Sequence, residues 1–170
     1  MADEKLDDLD GIIAQIVGRS EASMRGIIAS LADGTYEQDE ARSADRCVRE
    51  GFRVLELGAG IGYVTALFAQ RAGPENVLSV EANPDLLPVI EANLARNGLS
   101  GVSVLHGAAT GPVEEGAMAE FSVSEGYTGS SLTGKGRGVR VPLVSVHDLI
   151  RAHKPHVVLM IGVNGTGKTT

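Results

Sequence analysis

Apolar positions along the chain fall into two textures. In the first part they recur at helical spacing: Leu9, Ile12, Ile13, Ile16 and Val17 mark one amphipathic helix within Gly11–Val17 and its approach. Met24–Leu31 marks a second, which the breaker pair Asp33-Gly34 stops. Glu37–Arg49 is polar with scattered apolar positions and predicts another helix, ending near Gly51. From Phe52 the texture changes. Arg53-Val54-Leu55-Glu56-Leu57 is a short apolar strand running into Gly58-Ala59-Gly60-Ile61-Gly62, and Tyr63–Arg71 returns to helical spacing until Gly73-Pro74. Val77–Val80 is a second strand. Asn83-Pro84-Asp85 predicts a helix start, with an N-cap residue and proline at the first helical position; the helix runs to about Arg96 and ends at Asn97-Gly98. Val102–Leu105 is a third strand. Strands and helices alternating over short connections predict right-handed βαβ units and a parallel sheet.

The remainder reads differently. Ala119–Ser124 alternates weakly and Val139–Val144 looks extended, which predicts a hairpin-like excursion. Between them Gly126–Gly138 is rich in Gly, Ser and Thr and predicts a mobile tip. Val146–His153 predicts a short helix and Val157–Ile161 a fourth parallel strand. The expected fold class is α/β, a three-layer Rossmann-like sandwich with a mostly parallel sheet. The expected division is a helical segment over 1–33, a cofactor-binding domain over 34–160 and a tail over 161–170. No internal repeat is visible.

Composition narrows the function. The 170 residues are 43% hydrophobic and 22% charged, an ordinary globular balance that excludes a disordered chain. A net charge of -7 repels phosphate backbones, so no nucleic-acid partner is expected. A single cysteine, Cys47, excludes a disulfide framework and a cysteine-rich zinc site, and reads as a small core residue. No apolar run is long enough for a bilayer and the acidic Met1–Asp10 is no signal peptide, so a soluble, cytoplasmic protein without a membrane partner is expected. Twenty-two glycines with 4% aromatics suit Gly-turn α/β architecture better than an aromatic-centred β-sandwich.

The chemistry concentrates after the first strand. Small residues at Gly58, Ala59, Gly60 and Gly62 let the backbone turn tightly and approach a ligand, where the next helix presents free N–H groups. Glu81, closing the second strand 23 residues beyond Gly58, can accept hydrogen bonds from both ribose hydroxyls. The pair in this order predicts a bound nucleoside; a tight structural turn with a solvated Glu81 is the alternative. The glycine spacing departs from the G-x-G-x-x-G of nicotinamide sites, and Glu56 sits just before it. His106, His147, His153 and His156 lack paired metal spacing, so no metal site is expected. His106 ends a strand at the ligand edge, where a histidine can serve as a base, but structural roles are favoured for all four. Lys135, Arg137 and Arg140 form a basic patch that reads as a solvated loop, with an anionic substrate as the alternative.

The stretch Arg53-Val-Leu-Glu-Leu-Gly-Ala-Gly-Ile-Gly-Tyr-Val-Thr resembles the first motif of class I S-adenosylmethionine-dependent methyltransferases. With Val80-Glu-Ala-Asn-Pro, Asn93-Leu-Ala-Arg-Asn-Gly-Leu, Val104-Leu-His-Gly-Ala-Ala and Val141-Pro-Leu-Val-Ser-Val-His-Asp-Leu-Ile, it looks more narrowly like the FkbM-type family. The resemblance implies S-adenosylmethionine as cofactor and methyl transfer to an oxygen of a small molecule or sugar, by proximity and alignment. It implies that Gly58, Ala59 and Gly60 pass under the methionine part, with Glu56 near its ammonium. Glu81 is implied to hold the ribose, Ala82 and Asn83 to border the adenine, and Gly107 and Ala108 to lie along its other face. Tyr36-Glu37 resembles an upstream Y-E element covering the pocket; a surface loop is the equal alternative. Neither the base nor the oligomeric state is legible.

The tail Gly162-Val-Asn-Gly-Thr-Gly-Lys-Thr-Thr170 fits the G-x-x-x-x-G-K-[ST] pattern, in which Gly162, Gly167, Lys168 and Thr169 would wrap a phosphate. With Val157–Ile161 it resembles the GTPase core of signal-recognition-particle receptors. FkbM-type chains continue instead into an acidic D-x-E-G-A-E stretch, so a join within Pro155–Met160, as in a fusion or fragment, is expected. The alternatives to a methyltransferase are a P-loop nucleotide-binding protein and a non-catalytic fragment that keeps the fold.

Overall fold

The computed structural model describes Ile27 and residues 29–124, 130–132 and 136–161. The first predicted helix, most of the second and the P-loop pattern lie outside these residues, as does much of the Gly-rich tip. Residues 29–32 close the second helix: Asp33 N donates to the Ala29 carbonyl and Gly34 turns with φ +73°. The chain continues as α1 (Gln38–Cys47), β1 (Val54–Leu57), α2 (Tyr63–Ala72), a 3-10 turn (Pro74–Asn76), β2 (Val77–Glu81), α3 (Leu87–Arg96) and β3 (Ser103–His106). It goes on through β4 (Ala108–Thr110), β5 (Met118–Val123), β6 (Arg137–Ser145), α4 (Val146–His153) and β7 (Val157–Met160).

The main sheet is parallel throughout, in the order β3-β2-β1-β7. The chain moves outward from β1 to β3 and then returns to the other side of β1. The order therefore reverses beside the carboxyl end of β1, the place where α/β sheets leave a crevice for a ligand. Strand alternation divides the side chains between two faces. Val54, Val77, Val157 and Leu159 join the larger core, with Val64, Phe68 and Ala69 of α2 and Val89, Ile90 and Leu94 of α3. Leu55, Leu57, Leu78 and Val80 face the other way, against Val146 and Leu149 of α4. This is the expected three-layer α/β arrangement. β1, covered on both faces, is buried at all four positions, whereas Val158 and Met160 of β7 are exposed.

The excursion is a second sheet, in the order β4-β6-β5. β5 and β6 pair antiparallel from Met118↔Pro142 to Val123↔Arg137, as the alternating pattern predicted. Strand β4 was not anticipated. Its three residues carry no periodicity, and it pairs parallel with β6, far along the chain. Ala108, Phe121, Val123 and Val141 form its small core. The chain passes between the two sheets at Gly107, whose N–H donates to the Glu81 carbonyl at 2.9 Å. A Cβ there would run into Cγ2 of Val144 and lie 3.2 Å from the Pro142 carbonyl.

Two expectations are corrected. Helix α3 begins at Leu87, four residues after Asn83, with Pro88 in its first turn. The Asn83 side chain accepts from Asp85 N at 3.1 Å and its carbonyl accepts from Leu86 N, so the Asn-Pro-Asp run closes a turn of its own first. Cys47 is exposed, not core: Ala44 and Val48 take the buried positions, and Cys47 at the end of α1 falls off that face. Among the described residues no helix is long and apolar enough to cross a membrane.

The crowding at Gly107 gives a test of the junction. Gly107→Ala is expected to destabilise the protein by about 1–3 kcal/mol, the usual penalty for overpacking. Urea unfolding of the variant checks it; an unchanged midpoint contradicts the packing described.

Candidate functional site

The turn after β1 rests on positive backbone angles, at Gly58 (φ +94°), Gly60 (φ +57°) and Gly62 (φ +82°). Side chains are strained in that region, and space forbids them too: a Cβ on Gly58 would overlap the Ile161 carbonyl, and one on Gly62 would lie 3.3 Å from the Ile90 Cα. The N–H groups of this turn point to the end of β2. Gly58 N and Ala59 N both donate to the Val80 carbonyl, at 2.8 and 3.2 Å, and Gly60 N donates to Glu81 Oε2 at 2.9 Å. Glu81 Oε1 accepts from Asn83 N at 2.7 Å.

The sequence-derived residues thus converge. Glu81 is only 7% exposed, and its carboxylate accepts from the backbone N–H groups of Gly60 at Oε2 and Asn83 at Oε1. Burial pushes its pKa upward, opposed by the N–H groups of Asn83 and Gly60. Asn83 is fully enclosed, and its Nδ2 has no hydrogen-bond partner. Glu56 is fully buried on the α2 side of the sheet. Its Oε2 accepts from Thr65 Oγ1 at 2.5 Å and Ser79 Oγ at 2.6 Å, while Oε1 has no partner. Burial raises Glu56 to about 7 against the pull of the two hydroxyls, and the charge of Glu81 adds to the rise. Buried polar atoms without partners are unusual in folded proteins, and among the described residues Asn93 Oδ1 and Asn97 Oδ1 share this state with Glu56 Oε1 and Asn83 Nδ2.

Ala82 packs at the margin of the small core and Ala108 lies within it, beside Gly107. Tyr36 and Glu37 are half-buried; their segment reaches the site, since Glu37 Oε1 lies 4.0 Å from where a Cβ on Gly60 would stand. Thr65 and Ser79, which hold Glu56, were not anticipated. Ser79 faces Glu56 only through the β1–β2 register, and Thr65 only through the angle at which α2 leaves the turn.

Three of the four histidines, His106, His153 and His156, lie against backbone groups, and His147 is exposed. His156 Nδ1 accepts from Arg53 N at 3.0 Å and its ring stacks on Phe52; His153 Nε2 lies 3.0 Å from the Val54 carbonyl and His106 Nε2 3.3 Å from that of Ala82. Of the basic patch, Arg137 pairs with Asp85 at 2.5 Å and Arg140 stands opposite Glu120, while Lys135 lies outside the described residues. Among the described residues no cluster of His, Cys, Asp and Glu is arranged to hold a metal ion.

Known proteins match this same region. The profile of the protein-L-isoaspartate(D-aspartate) O-methyltransferase family matches residues 44–119, from α1 into β5. A protein-L-isoaspartate O-methyltransferase of Methanococcoides burtonii is 42% identical over 60 residues, covering 35% of this chain and 30% of that protein. One from Methanoculleus marisnigri is 44% identical over 63 residues, 37% of this chain and 28% of the relative. A ribosomal protein L11 methyltransferase of Thermus thermophilus is 40% identical over 73 residues, 41% of this chain and 28% of the relative. The chain spans less than a third of the length of the relatives it matches. Over the matched stretch, which holds the glycine turn and Glu81, the chain is similar to class I S-adenosylmethionine-dependent methyltransferases, and its parallel sheet is consistent with their fold. Most of these matches are to the protein-L-isoaspartate type, and they support neither the FkbM type nor the P-loop segment.

The raised Glu56 gives stability a definite pH dependence. A carboxylate whose pKa rises on folding holds its proton more tightly in the native state. Stability is then full below about pH 4.5, falls as pH climbs to about 7, and is level above. Glu56→Gln keeps an acceptor for Thr65 and Ser79 and removes the charge, so it is expected to flatten that fall. Urea midpoints at pH 5 and pH 8 measure it; an equal fall in both proteins contradicts the assignment.

Proposed function

We propose that this chain is the cofactor-binding part of an S-adenosylmethionine-dependent O-methyltransferase whose acceptor is a carboxylate on a protein. The observation that carries the reading is the Glu81 carboxylate, buried at the end of β2 and fastened to the N–H groups of Gly60 and Asn83 beside the glycine turn. On this reading Glu81 holds the ribose hydroxyls, Ala82 and Asn83 border the adenine, and Gly107 and Ala108 lie along its other face. Gly58, Ala59 and Gly60 run beneath the methionine part, and Glu56 Oε1 receives its ammonium. The domain boundaries at 34 and 160 belong to the same reading, since every named element falls between them.

The bound cofactor supplies an electrophilic methyl group on its sulfonium. What the protein contributes is position: a rigid turn, fixed carboxylates and exclusion of water, which together turn a bimolecular encounter into an aligned one. The relatives named for isoaspartate and for a ribosomal protein support a protein acceptor over the small molecule or sugar implied by the FkbM resemblance. A carboxylate acceptor is already ionised at neutral pH, so no residue has to take its proton.

Titration calorimetry with S-adenosylhomocysteine tests the cofactor site. Glu81→Gln is expected to weaken binding by roughly 1.5–3 kcal/mol, the range for hydrogen bonds to a charged group. Equal affinity in the variant removes the ribose assignment. For the acceptor, methyl-labelled cofactor with an isoaspartyl peptide is expected to give a base-labile ester. Base-stable label on a sugar hydroxyl, with none on the peptide, overturns the protein acceptor.

A further inference from the structure

The glycine turn is held from a second side, by α3. Gly62 caps the start of α2, and the first bond of that helix runs from Ala66 N to the Gly62 carbonyl at 3.0 Å. The Ile61 carbonyl lies one residue too early for this ladder. Ile61 is only 3% exposed, so its carbonyl needs a partner within the protein. Asn93 Nδ2 supplies it, donating at 2.7 Å across 32 positions of the chain. The peptide unit joining Ile61 to Gly62 is thereby fixed at both ends, because Gly62 N donates to the Ala59 carbonyl at 2.8 Å. Ile90, one helical turn before Asn93, closes the space beside Gly62, its Cα 3.3 Å from where a Cβ would stand.

Asn93 is not the residue that stability alone would place here. It is 2% exposed, and its neighbours Val89, Ile90 and Leu94 on α3 are apolar and buried in the larger core. A carbonyl only accepts, so the amide must turn its nitrogen toward Ile61, which leaves Oδ1 without a partner. An apolar side chain would leave the Ile61 carbonyl unpaired instead. Either way one buried oxygen is unsatisfied, and each such atom costs stability. The amide therefore does not lower the number of unpaired oxygens. What it alone provides is a fixed direction for the Ile61–Gly62 peptide unit. That direction constrains the turn just before it, where Gly58 N and Ala59 N meet the Val80 carbonyl and Gly60 N meets Glu81 Oε2.

We propose that Asn93 is a positioning residue for the cofactor: the hydrogen bond it donates from α3 to the Ile61 carbonyl keeps the glycine turn in its binding conformation beside Glu81. This rests on the reading of the crevice as an S-adenosylmethionine site. The turn is then clamped between β2 and α3, by a carboxylate on one side and an amide on the other. Without the amide the turn keeps its tie to Glu81, but the Ile61–Gly62 unit is free to rotate, and ordering it falls to the ligand. That ordering cost lowers affinity without removing any group that touches the ligand.

The experiment is calorimetry with S-adenosylhomocysteine at pH 5 and pH 8 on the full chain, Asn93→Leu and Asn93→Asp, with urea unfolding to establish that each protein is folded. Asn93→Leu has no donor at either pH. Asn93→Asp keeps the shape, and its carboxyl can donate to the Ile61 carbonyl only while it holds its proton. Asn93→Leu is expected to bind about tenfold more weakly than the unmodified chain at both pH values. Asn93→Asp is expected to stay within about twofold at pH 5 and to fall about tenfold behind at pH 8. Glu37, Glu56 and Glu81, all pushed upward by burial, ionise in every one of these proteins, so affinities are compared at the same pH. Equal losses in both variants at both pH values assign the effect to packing and overturn the proposal, as does unchanged affinity in Asn93→Leu. A second measurement needs no variant: in the unmodified chain the Asn93 side-chain amide protons are expected to exchange slowly with solvent and to shift in NMR spectra when the ligand is added. Fast exchange, or signals that the ligand leaves unmoved, overturns the proposal even where a variant does not fold. An unmodified chain that binds no S-adenosylhomocysteine overturns the crevice reading itself, and the role of Asn93 with it.

Discussion

Everything at the functional end of this protein hangs on how the turn after β1 is fastened to the end of β2. A backbone passing through three left-handed glycines makes no helix or ladder of its own, so its N–H groups need partners elsewhere. Gly62 N turns back to the Ala59 carbonyl; the others find partners at two consecutive residues: Val80, whose carbonyl takes Gly58 and Ala59, and Glu81, whose side chain takes Gly60. Glu81 also receives Gly107 at its carbonyl, which ties in the crossing from the main sheet to the small one. One residue therefore links the glycine turn, the β1–β2 register and the second sheet. A register slip would move Glu81 to the other face and release all three.

The same end of the sheet collects charge that folding by itself disfavours. Glu56, Glu81 and Glu37 are all pushed toward the protonated form, chiefly by burial. A protein selected for stability alone would place apolar groups here, as it does along the rest of β1. Partial relief comes from hydroxyls and backbone N–H groups, which hold the carboxylates in place without neutralising them. Perturbed groups in a cleft are a mark of function because the missing interaction is the one a ligand makes.

The comparisons follow the same division. The stretch matched by the family profile runs over β1, the glycine turn, β2 and β3. A likeness over this stretch alone bears on the class and not on the subtype. The FkbM resemblance was drawn from the same crevice, and the comparisons support its cofactor without supporting its subtype.

What the amino-acid sequence determined unaided was local. Apolar runs, glycine turns and breaker residues marked β1, β2, β3, β7 and α4 within a residue or so, since period and turn chemistry act over a few positions. Glu56, the glycines and Glu81 could be placed at the ends of two strands because glycine turns and strand ends are local signals. Tertiary structure decided whatever depends on residues far apart. It paired Ala108–Thr110 with Leu143–Ser145, turned Cys47 outward, delayed α3 behind an Asn83 turn, and set Thr65 and Ser79 on Glu56. It also carried Glu37 to Gly60, from a segment whose sequence read equally as a surface loop. Spacing along a chain reports which face of an element a residue occupies; only packing reports what stands across from it.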